Sequence, residues 1–203
     1  MLTEVLKEFG FTAQETEIQH FGSGLINHTW LIQNSNNKYI LQRINANVFT
    51  RPGHIDENIN AINQYLAKTV PEYIFTVPVP SKNNKSLISF GDGDYYRLFS
   101  FVENSHTYTV IENPELAFEA ARQFGRFTKI LAAFNSSSLH LTLPDFHNLS
   151  LRYHQFTNAV QNGNKERIAH ASMLIKAWQD STYLVHIYEG ILQNPQFKKR
   201  VTH

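Results

Sequence analysis

A short glycine loop near the start of the chain carries the residues best suited to chemistry. It reads Phe21-Gly22-Ser23-Gly24-Leu25-Ile26-Asn27, with a glycine on each side of the serine. Because glycine has no Cβ, successive backbone N–H groups in such a turn can point toward a bound anion and form a concavity that suits phosphate. An ordinary hairpin turn is the alternative interpretation, because motifs of this length recur by chance.

The flanks of the loop decide which kind of phosphate loop it could be. Residues 29–32 and 39–44 are rich in β-branched and aromatic side chains, with a turn predicted at 34–37. A strand after the loop argues against the dinucleotide-binding motif, whose glycines open a helix, and the absence of Gly-Lys-Ser/Thr argues against the Walker loop. The G-x-G-x-x-G loop of kinases remains, and we therefore expect Gly22, Ser23, Gly24 and Asn27 to contact nucleotide phosphates, with Asn27 in place of the third glycine.

The other parts of a kinase nucleotide site have candidates in the order that a kinase requires. A kinase needs a cation on the third strand, a helix carboxylate paired with it, and a hinge whose backbone meets the adenine. The candidates are Gln42 and Arg43, then Glu57, then the hinge residues Phe101, Val102 and Glu103. Strand alternation puts Gln42 and Arg43 on opposite faces, so only one can meet Glu57 and the phosphates: Arg43 has the charge, and Gln42 could have the aligned position. Each charge could also be an ordinary surface residue.

The hydrophobic periodicity predicts a β-rich lobe followed by a helical lobe. Strands are expected at 17–21, 29–33, 39–45, 86–90 and 95–102, with a turn at 91–94, and helices at 2–9, 55–66, 116–134, 151–162, 165–178 and 183–192. The helix over 116–134 is expected to be buried, and Arg51-Pro52-Gly53 is expected to interrupt the chain before the helix at 55. We predict an α+β fold, with a nucleotide-binding lobe at 1–104 and a helical substrate lobe at 105–203.

Composition excludes several functional classes. The 203 residues are 42% hydrophobic and 17% charged, which is ordinary for a globular protein, and the formal net charge of +1 gives no reason to expect nucleic acid or a membrane as partner. There is no cysteine, and the sequence has neither a signal peptide nor an apolar run of membrane-spanning length, so a cytoplasmic location is expected. No H-E-x-x-H or G-x-S-x-G motif occurs, which disfavours a metalloprotease or a serine hydrolase.

Five segments resemble a known family. They are FGSGLINHT at 21–29, YILQRINANVF at 39–49, ENI at 57–59, YRLFSFVE at 96–103 and PDFHN at 144–148. Together they resemble the N-acetylhexosamine kinase branch of the aminoglycoside phosphotransferase family. The resemblance implies a protein-kinase-like fold with a five-stranded antiparallel lobe and one helix. It also implies transfer of the ATP γ-phosphoryl group to a sugar hydroxyl, here the anomeric hydroxyl of an amino sugar.

The resemblance also implies a substrate site. It would use His28, Asp145, Phe146 and His147. Residues 145–148 supply a planar ring and neutral donors suited to a sugar, without the acidic cluster that a cationic substrate needs. A polar loop is the alternative interpretation of residues 145–148. Leu25 and His28 stand where some relatives carry His and Asp, which leaves sugar contacts from the glycine loop open.

The resemblance further implies that the catalytic residues are not within the chain. The family's catalytic loop begins with His, followed by Asp and Asn, so His203 would open that loop and the magnesium ligands would lie beyond it. We therefore expect the first part of a kinase, with ATP and magnesium as cofactors of the whole protein, and a 203-residue chain that is inactive and self-associates through uncovered apolar faces. A non-catalytic module that binds a nucleotide or a sugar is the alternative.

Overall fold

The structure is a computed structural model that describes residues 1–12, 16–34, 37–91 and 93–202. It forms two compact units, one made of Met1–Thr142 and the segment that starts at Arg200, the other of Leu143–Lys199. Compactness alone does not define a functional lobe, and the division predicted near residue 104 stays a prediction. Within the two predicted turns, Ser35, Asn36 and Asp92 lie outside the described residues, as does His203, the predicted start of the catalytic loop.

A five-stranded antiparallel sheet organises the first unit. Its strands are β1 (Thr16–His20), β2 (His28–Asn34), β3 (Asn37–Ile44), β4 (Ile88–Phe90) and β5 (Asp94–Ser100), and their spatial order is β1-β2-β3-β5-β4. The central strand β3 therefore lies between β2 and β5. This register places Gln42 between Thr29 and Arg97, and its neighbour Arg43 between His28 and Tyr96.

Helix α1 (Leu2–Glu8) covers one face of this sheet. Its buried side chains Val5 and Leu6 belong to the main apolar cluster of the unit, together with inward-facing residues of β2, β3, β4 and β5. Among these are Leu41 and Tyr96, which lie on the same face as Arg43 because side chains two apart on a strand, or directly opposite across a ladder, point the same way. Arg43 thus lies on the face that α1 covers, and Gln42 on the other.

Helix α2 (Pro52–Thr69) begins three residues before its predicted start. The prediction that Arg51-Pro52-Gly53 interrupts the chain up to residue 55 was wrong in its extent, because proline is tolerated in the first turn of a helix, where its missing N–H has no intrahelical partner. The buried side chains Ile62 and Leu66 of α2 form a second apolar cluster with Leu131 and Val201.

Helix α3 (Pro114–Ile130) is capped by Asn113, whose side chain accepts hydrogen bonds from the N–H groups of Glu115 and Leu116. The helix predicted at 116–134 exists, but the expectation that it is buried was wrong, because none of its residues is buried in the described chain. Only the end of the predicted segment packs, through Leu131 and its neighbours in the second apolar cluster. A short 3-10 helix follows at Ser136–Ser138.

The second unit is helical. It contains α4 (Leu149–Asn162), α5 (Lys165–His170), α6 (Ser172–Asp180) and α7 (Tyr183–Gln193). The single helix predicted over 165–178 is divided at Ala171, whose N–H bonds back to the carbonyl oxygen of Arg167 and closes α5. No glycine or proline marks this break, so the break has no local signal in the sequence. Within the described residues, no helix combines the length and apolar character needed to cross a membrane.

Candidate functional site

The glycine loop connects β1 to β2 and is anchored at both ends. The Phe21 N–H donates to the Thr29 carbonyl oxygen at 2.9 Å, and the Asn45 N–H donates to Oδ1 of Asn27 at 3.0 Å. Gly22 has φ +79°, a left-handed conformation that side chains other than glycine rarely adopt. Between the anchors, residues 22–26 are exposed. The loop therefore offers an open backbone, whereas the side chain of Asn27 is used to hold the loop.

The predicted hinge follows β5 and lies against the glycine loop. The ring of Phe101 meets the ring of Phe21 edge to face, with 6.0 Å between the centroids. The Phe101 N–H donates to the carbonyl oxygen of Lys38 at 3.0 Å, and Nζ of Lys38 lies 5.7 Å from the Phe101 ring centre and 3.9 Å from Oε2 of Glu103. Val102 is exposed. These contacts fix the start of the hinge beside the first residue of the loop.

Arg43 lies among polar groups on the α1 face of the sheet. Its Nη1 is 3.6 Å from Oδ2 of Asp94, and the same oxygen accepts a hydrogen bond from the Tyr96 hydroxyl at 3.3 Å. Arg43, Asp94 and His28 also line an open cavity of about 340 Å³ at this edge of the sheet. Arg43 therefore has its own partners on the face opposite Gln42.

Gln42 is held by an arginine on the neighbouring strand. Its Oε1 accepts from Nε of Arg97 at 3.0 Å and from Nη2 of Arg97 at 2.7 Å. Burial lowers the pKa of the Arg97 guanidinium. The negative charge of Asp56 on α2 raises that pKa again, because it favours the charged form of the arginine. The face of β3 that carries Gln42 thus has a cation and a helix carboxylate nearby.

Glu57 does not pair with a cation of β3, contrary to the arrangement expected from a kinase. Its Oε2 lies 2.7 Å from Nε2 of His140, whose ring stacks on His54 with 4.0 Å between centroids. Side chains of neighbouring residues on a helix point about 100° apart, so the carboxylates of Asp56 and Glu57 contact different parts of the first unit. Arg97 and Asp56 were not among the residues predicted from the sequence. The signal available for Arg97 was a charged residue inside the apolar strand segment 95–99, but the partnership depends on the β3–β5 register.

The predicted substrate residues fall in both units. His28 belongs to β2, where its ring stacks on Trp30 with 6.1 Å between centroids. In the second unit, Asp145 has φ +60° and its Oδ1 accepts from Nδ2 of Asn148 at 2.8 Å. The rings of Phe146 and His147 are nearly perpendicular, at 81° with 4.7 Å between centroids. These residues form a local arrangement of one carboxylate and two exposed rings.

No metal site is evident in the part of the chain that the structure describes. Among those residues, no group of three or more His, Cys, Asp or Glu side chains is placed to hold an ion. His203 lies outside the described residues, so its predicted role stays a prediction. We assign no magnesium ligand.

The comparison with known proteins gives the fold. No protein-family model matches the chain. The chain is similar to the crystal structure of spectinomycin phosphotransferase APH(9)-Ia in complex with ADP and spectinomycin, with a TM-score of 0.59 and 13% identity over 95% of this chain and 57% of that chain. A microcompartment-associated aminopropanol kinase matches with a TM-score of 0.45 and 14% identity over 71% of this chain and 42% of that one.

The similarity to spectinomycin phosphotransferase confirms the predicted fold class. The chain is α+β, with a five-stranded antiparallel sheet followed by helices, and it shares the kinase-like fold of that protein. It spans 57% of that protein's length. At 13% identity the similarity shows the fold alone, and the chemistry has to be argued from the residues.

Proposed function

We propose that the protein is a small-molecule kinase that binds ATP between the glycine loop (residues 21–27) and the hinge (residues 101–103). Its acceptor would be a sugar hydroxyl, with the anomeric hydroxyl of an N-acetylhexosamine as the favoured choice. The observation that carries this proposal is the contact between Phe21 and Phe101, which brings together two segments that are far apart in sequence. The shared fold with a phosphotransferase captured with ADP supports the same assignment.

The residues of the loop and the hinge fit a nucleotide. The exposed backbone of Gly22–Gly24 can approach phosphate oxygens closely, because no side chain of Gly22 or Gly24 stands in the way. The Phe101 N–H donates to Lys38 and the Val102 carbonyl oxygen accepts from the Ser105 N–H, so the Val102 N–H and the backbone of Glu103 would meet the adenine edge. Magnesium, when bound with ATP, would neutralise phosphate charge; the chain's own contribution is to position the nucleotide.

The choice of a sugar acceptor rests on the side chains of the second unit and on the sequence resemblance. The exposed rings of Phe146 and His147 offer apolar and aromatic surface to the C–H groups of a sugar ring. Asp145 and the imidazole of His147 offer hydrogen bonds to hydroxyl groups. Asp145 is the one carboxylate of this set, and Nη2 of Arg152 donates to the Asp145 carbonyl oxygen at 3.1 Å, so the set suits a neutral sugar better than a cationic acceptor.

Nucleotide binding is tested by calorimetric titration of the 203-residue chain with ADP, comparing wild type with Gly24→Val. A Cβ at residue 24 would lie 3.8 Å from the Asn27 carbonyl oxygen, an ordinary contact, so the variant should fold. The added β-branched side chain should still keep phosphate from the backbone. The affinity for ADP should therefore fall by about tenfold or more, the equivalent of one lost hydrogen bond to a charged group. Gly125→Val, on the exposed surface of α3, is the matched control.

Unchanged ADP affinity in a folded Gly24→Val protein would contradict the placement of the nucleotide. Transfer is tested separately by following ATP consumption and phosphosugar formation with phosphorus NMR, in the presence of magnesium and N-acetylglucosamine or N-acetylgalactosamine. Sugar or nucleotide binding without transfer, in the whole protein, would favour a non-catalytic binding module instead.

A further inference from the structure

Gln42 and Arg97 form a fixed pair on the sheet face opposite α1. They lie directly opposite each other on β3 and β5, and both donor groups of the Arg97 fork bond the same oxygen, Oε1 of Gln42. A guanidinium has donors and no acceptor, so it can only face the oxygen of the amide. The Nε2 group of Gln42, with two N–H donors, must therefore point away from Arg97. Within the described residues no hydrogen bond from Nε2 is found.

Asp56 completes this arrangement from α2. Its Oδ2 accepts from the Ser86 hydroxyl at 2.8 Å and from Nδ2 of Asn60 at 3.3 Å, which fixes the carboxylate. Its Oδ1 is buried and has no hydrogen-bond partner in the described residues. A buried carboxylate oxygen without a direct partner is costly, and the nearby cation, Arg97, reduces that cost electrostatically. This face therefore has a positive charge beside Gln42, although the side chain at position 42 is itself neutral.

We propose that Gln42 contacts the nucleotide phosphates through its Nε2 donors, and that Arg97 is the positioning residue that orients this amide and supplies the positive charge of the site. This inference rests on the proposed function, because it takes the nucleotide to lie on this face of the sheet. The task that one strand lysine performs is then divided between two strands, with a neutral donor on β3 and the charge on β5. Arg43 has no part in it, because it lies on the opposite face with Asp94 and Tyr96.

The variant Gln42→Glu separates binding from folding. A carboxylate at position 42 would still accept both Arg97 donors, and more strongly, so the melting temperature should stay the same or rise. It would lose the amide donors and set a negative charge beside the phosphates. The affinity for ADP should fall by about tenfold or more, the equivalent of a lost hydrogen bond to a charged group, while the affinity for adenosine should be unchanged. Gln64→Glu, the same change at an exposed position of α2, is the matched control.

The role of Arg97 is tested by loss and rescue. Arg97→Met should lower the affinity for ADP but not the affinity for adenosine. Adding Gln42→Lys to that variant should restore ADP binding, because a positive charge then stands at position 42 of β3. A purely structural role for Arg97 would not predict this rescue. If Arg97→Met does not fold, Gln42→Glu decides, since it keeps the arginine paired.

The outcomes distinguish this inference from the proposed function. If wild type binds ADP, and Gln42→Glu either leaves the ADP affinity unchanged or lowers the ADP and adenosine affinities equally, the inference alone would be overturned. Failure of a folded Arg97→Met, Gln42→Lys double variant to regain ADP binding would overturn it as well. A wild-type chain that binds neither ADP nor adenosine would overturn both the inference and the proposed function.

Discussion

Tyr96 shows how a single residue on the α1 face depends on its charged neighbours. The side chain is buried, its hydroxyl donates to Asp94, and Arg43 lies beside the same carboxylate. Burial raises the pKa of the Tyr96 phenol, Asp94 raises it further, and Arg43 lowers it. Because the pKa of the folded state is raised above that of the unfolded state, the resulting stabilisation is complete below about pH 10 and is lost as the pH rises through the folded-state pKa.

Replacing Arg43 should therefore change the titration of Tyr96. In Arg43→Met, burial and Asp94 still raise the pKa of Tyr96, but the guanidinium that lowers it is lost. Ionisation of Tyr96 should therefore move to higher pH. The measurement is phenolate absorbance against pH, with the Tyr96 signal isolated by subtracting the curve of the corresponding Tyr96→Phe protein. Arg51→Met, which removes an exposed arginine elsewhere, is the control. A shift to lower pH would mean that Arg43 does not stabilise the phenolate.

At the scale of elements, α2 is joined to the segment that follows the 3-10 helix. Nδ2 of Asn58 donates to the carbonyl oxygen of His140 at 2.8 Å, and the His140 N–H donates to Oδ1 of Asn58 at 2.8 Å. The imidazole of His140 adds the contacts with Glu57 and His54. One asparagine thus replaces the backbone pairing that a neighbouring strand would give, and it connects two elements of the first unit that are distant in sequence.

Loss of this asparagine should destabilise the first unit. Asn58→Ala removes two side-chain hydrogen bonds and should lower the free energy of unfolding by about 1–2 kcal/mol, reduced from the full sum because the site is partly exposed. Asn58→Asp keeps the acceptor for the His140 N–H but loses the donor to the His140 carbonyl oxygen. Its free energy of unfolding should therefore lie between those of wild type and Asn58→Ala. Urea unfolding followed by circular dichroism measures the effect, with Asn63→Ala on the same helix as reference. Equal stabilities of the two alanine variants would contradict the role of Asn58.

At the scale of the whole molecule, both units expose large apolar side chains. On α3, Phe118 is 68% exposed, and on α6, Met173 and Leu174 are 86% and 73% exposed. The apolar face of α3 was predicted to need a cover, and within the described residues nothing covers Phe118. Clusters of such residues favour association, because burying apolar surface from water is favourable.

We expect the 203-residue chain to self-associate. Its mass measured by light scattering should rise with concentration, and the variant with Phe118→Glu and Met173→Glu together should reduce that rise, because both changes place charge on exposed apolar positions. Gln161→Glu, which adds charge at an exposed polar position, should leave it unchanged. A wild-type chain that remains monomeric at high concentration would refute the expectation.

The sequence by itself determined the order and type of the strands and of most helices, but not the division of the helix predicted at 165–178. The sequence shows strand alternation in residues 29–33 and 39–45 and helical spacing from Ile55 to Leu66. Both patterns depend on short-range geometry, which a single chain segment carries in its own residues. The glycine loop belongs to the same class, since Gly22 adopts the positive φ that its residue type permits. The antiparallel sheet followed from short connections between strands.

Only the tertiary structure decided which side chains share a site. That Gln42 rather than Arg43 lies on the face with Asp56 depends on the position of α1 and on the register of β5 against β3, and both are set by long-range packing. For the same reason Arg97 was not predicted as a site residue. Glu57 was predicted to pair with a cation on β3, but its carboxylate lies against His140. Local patterns fix where a side chain points along its own element, but its partners come from elements distant in sequence, whose placement depends on burying apolar surface across the whole unit.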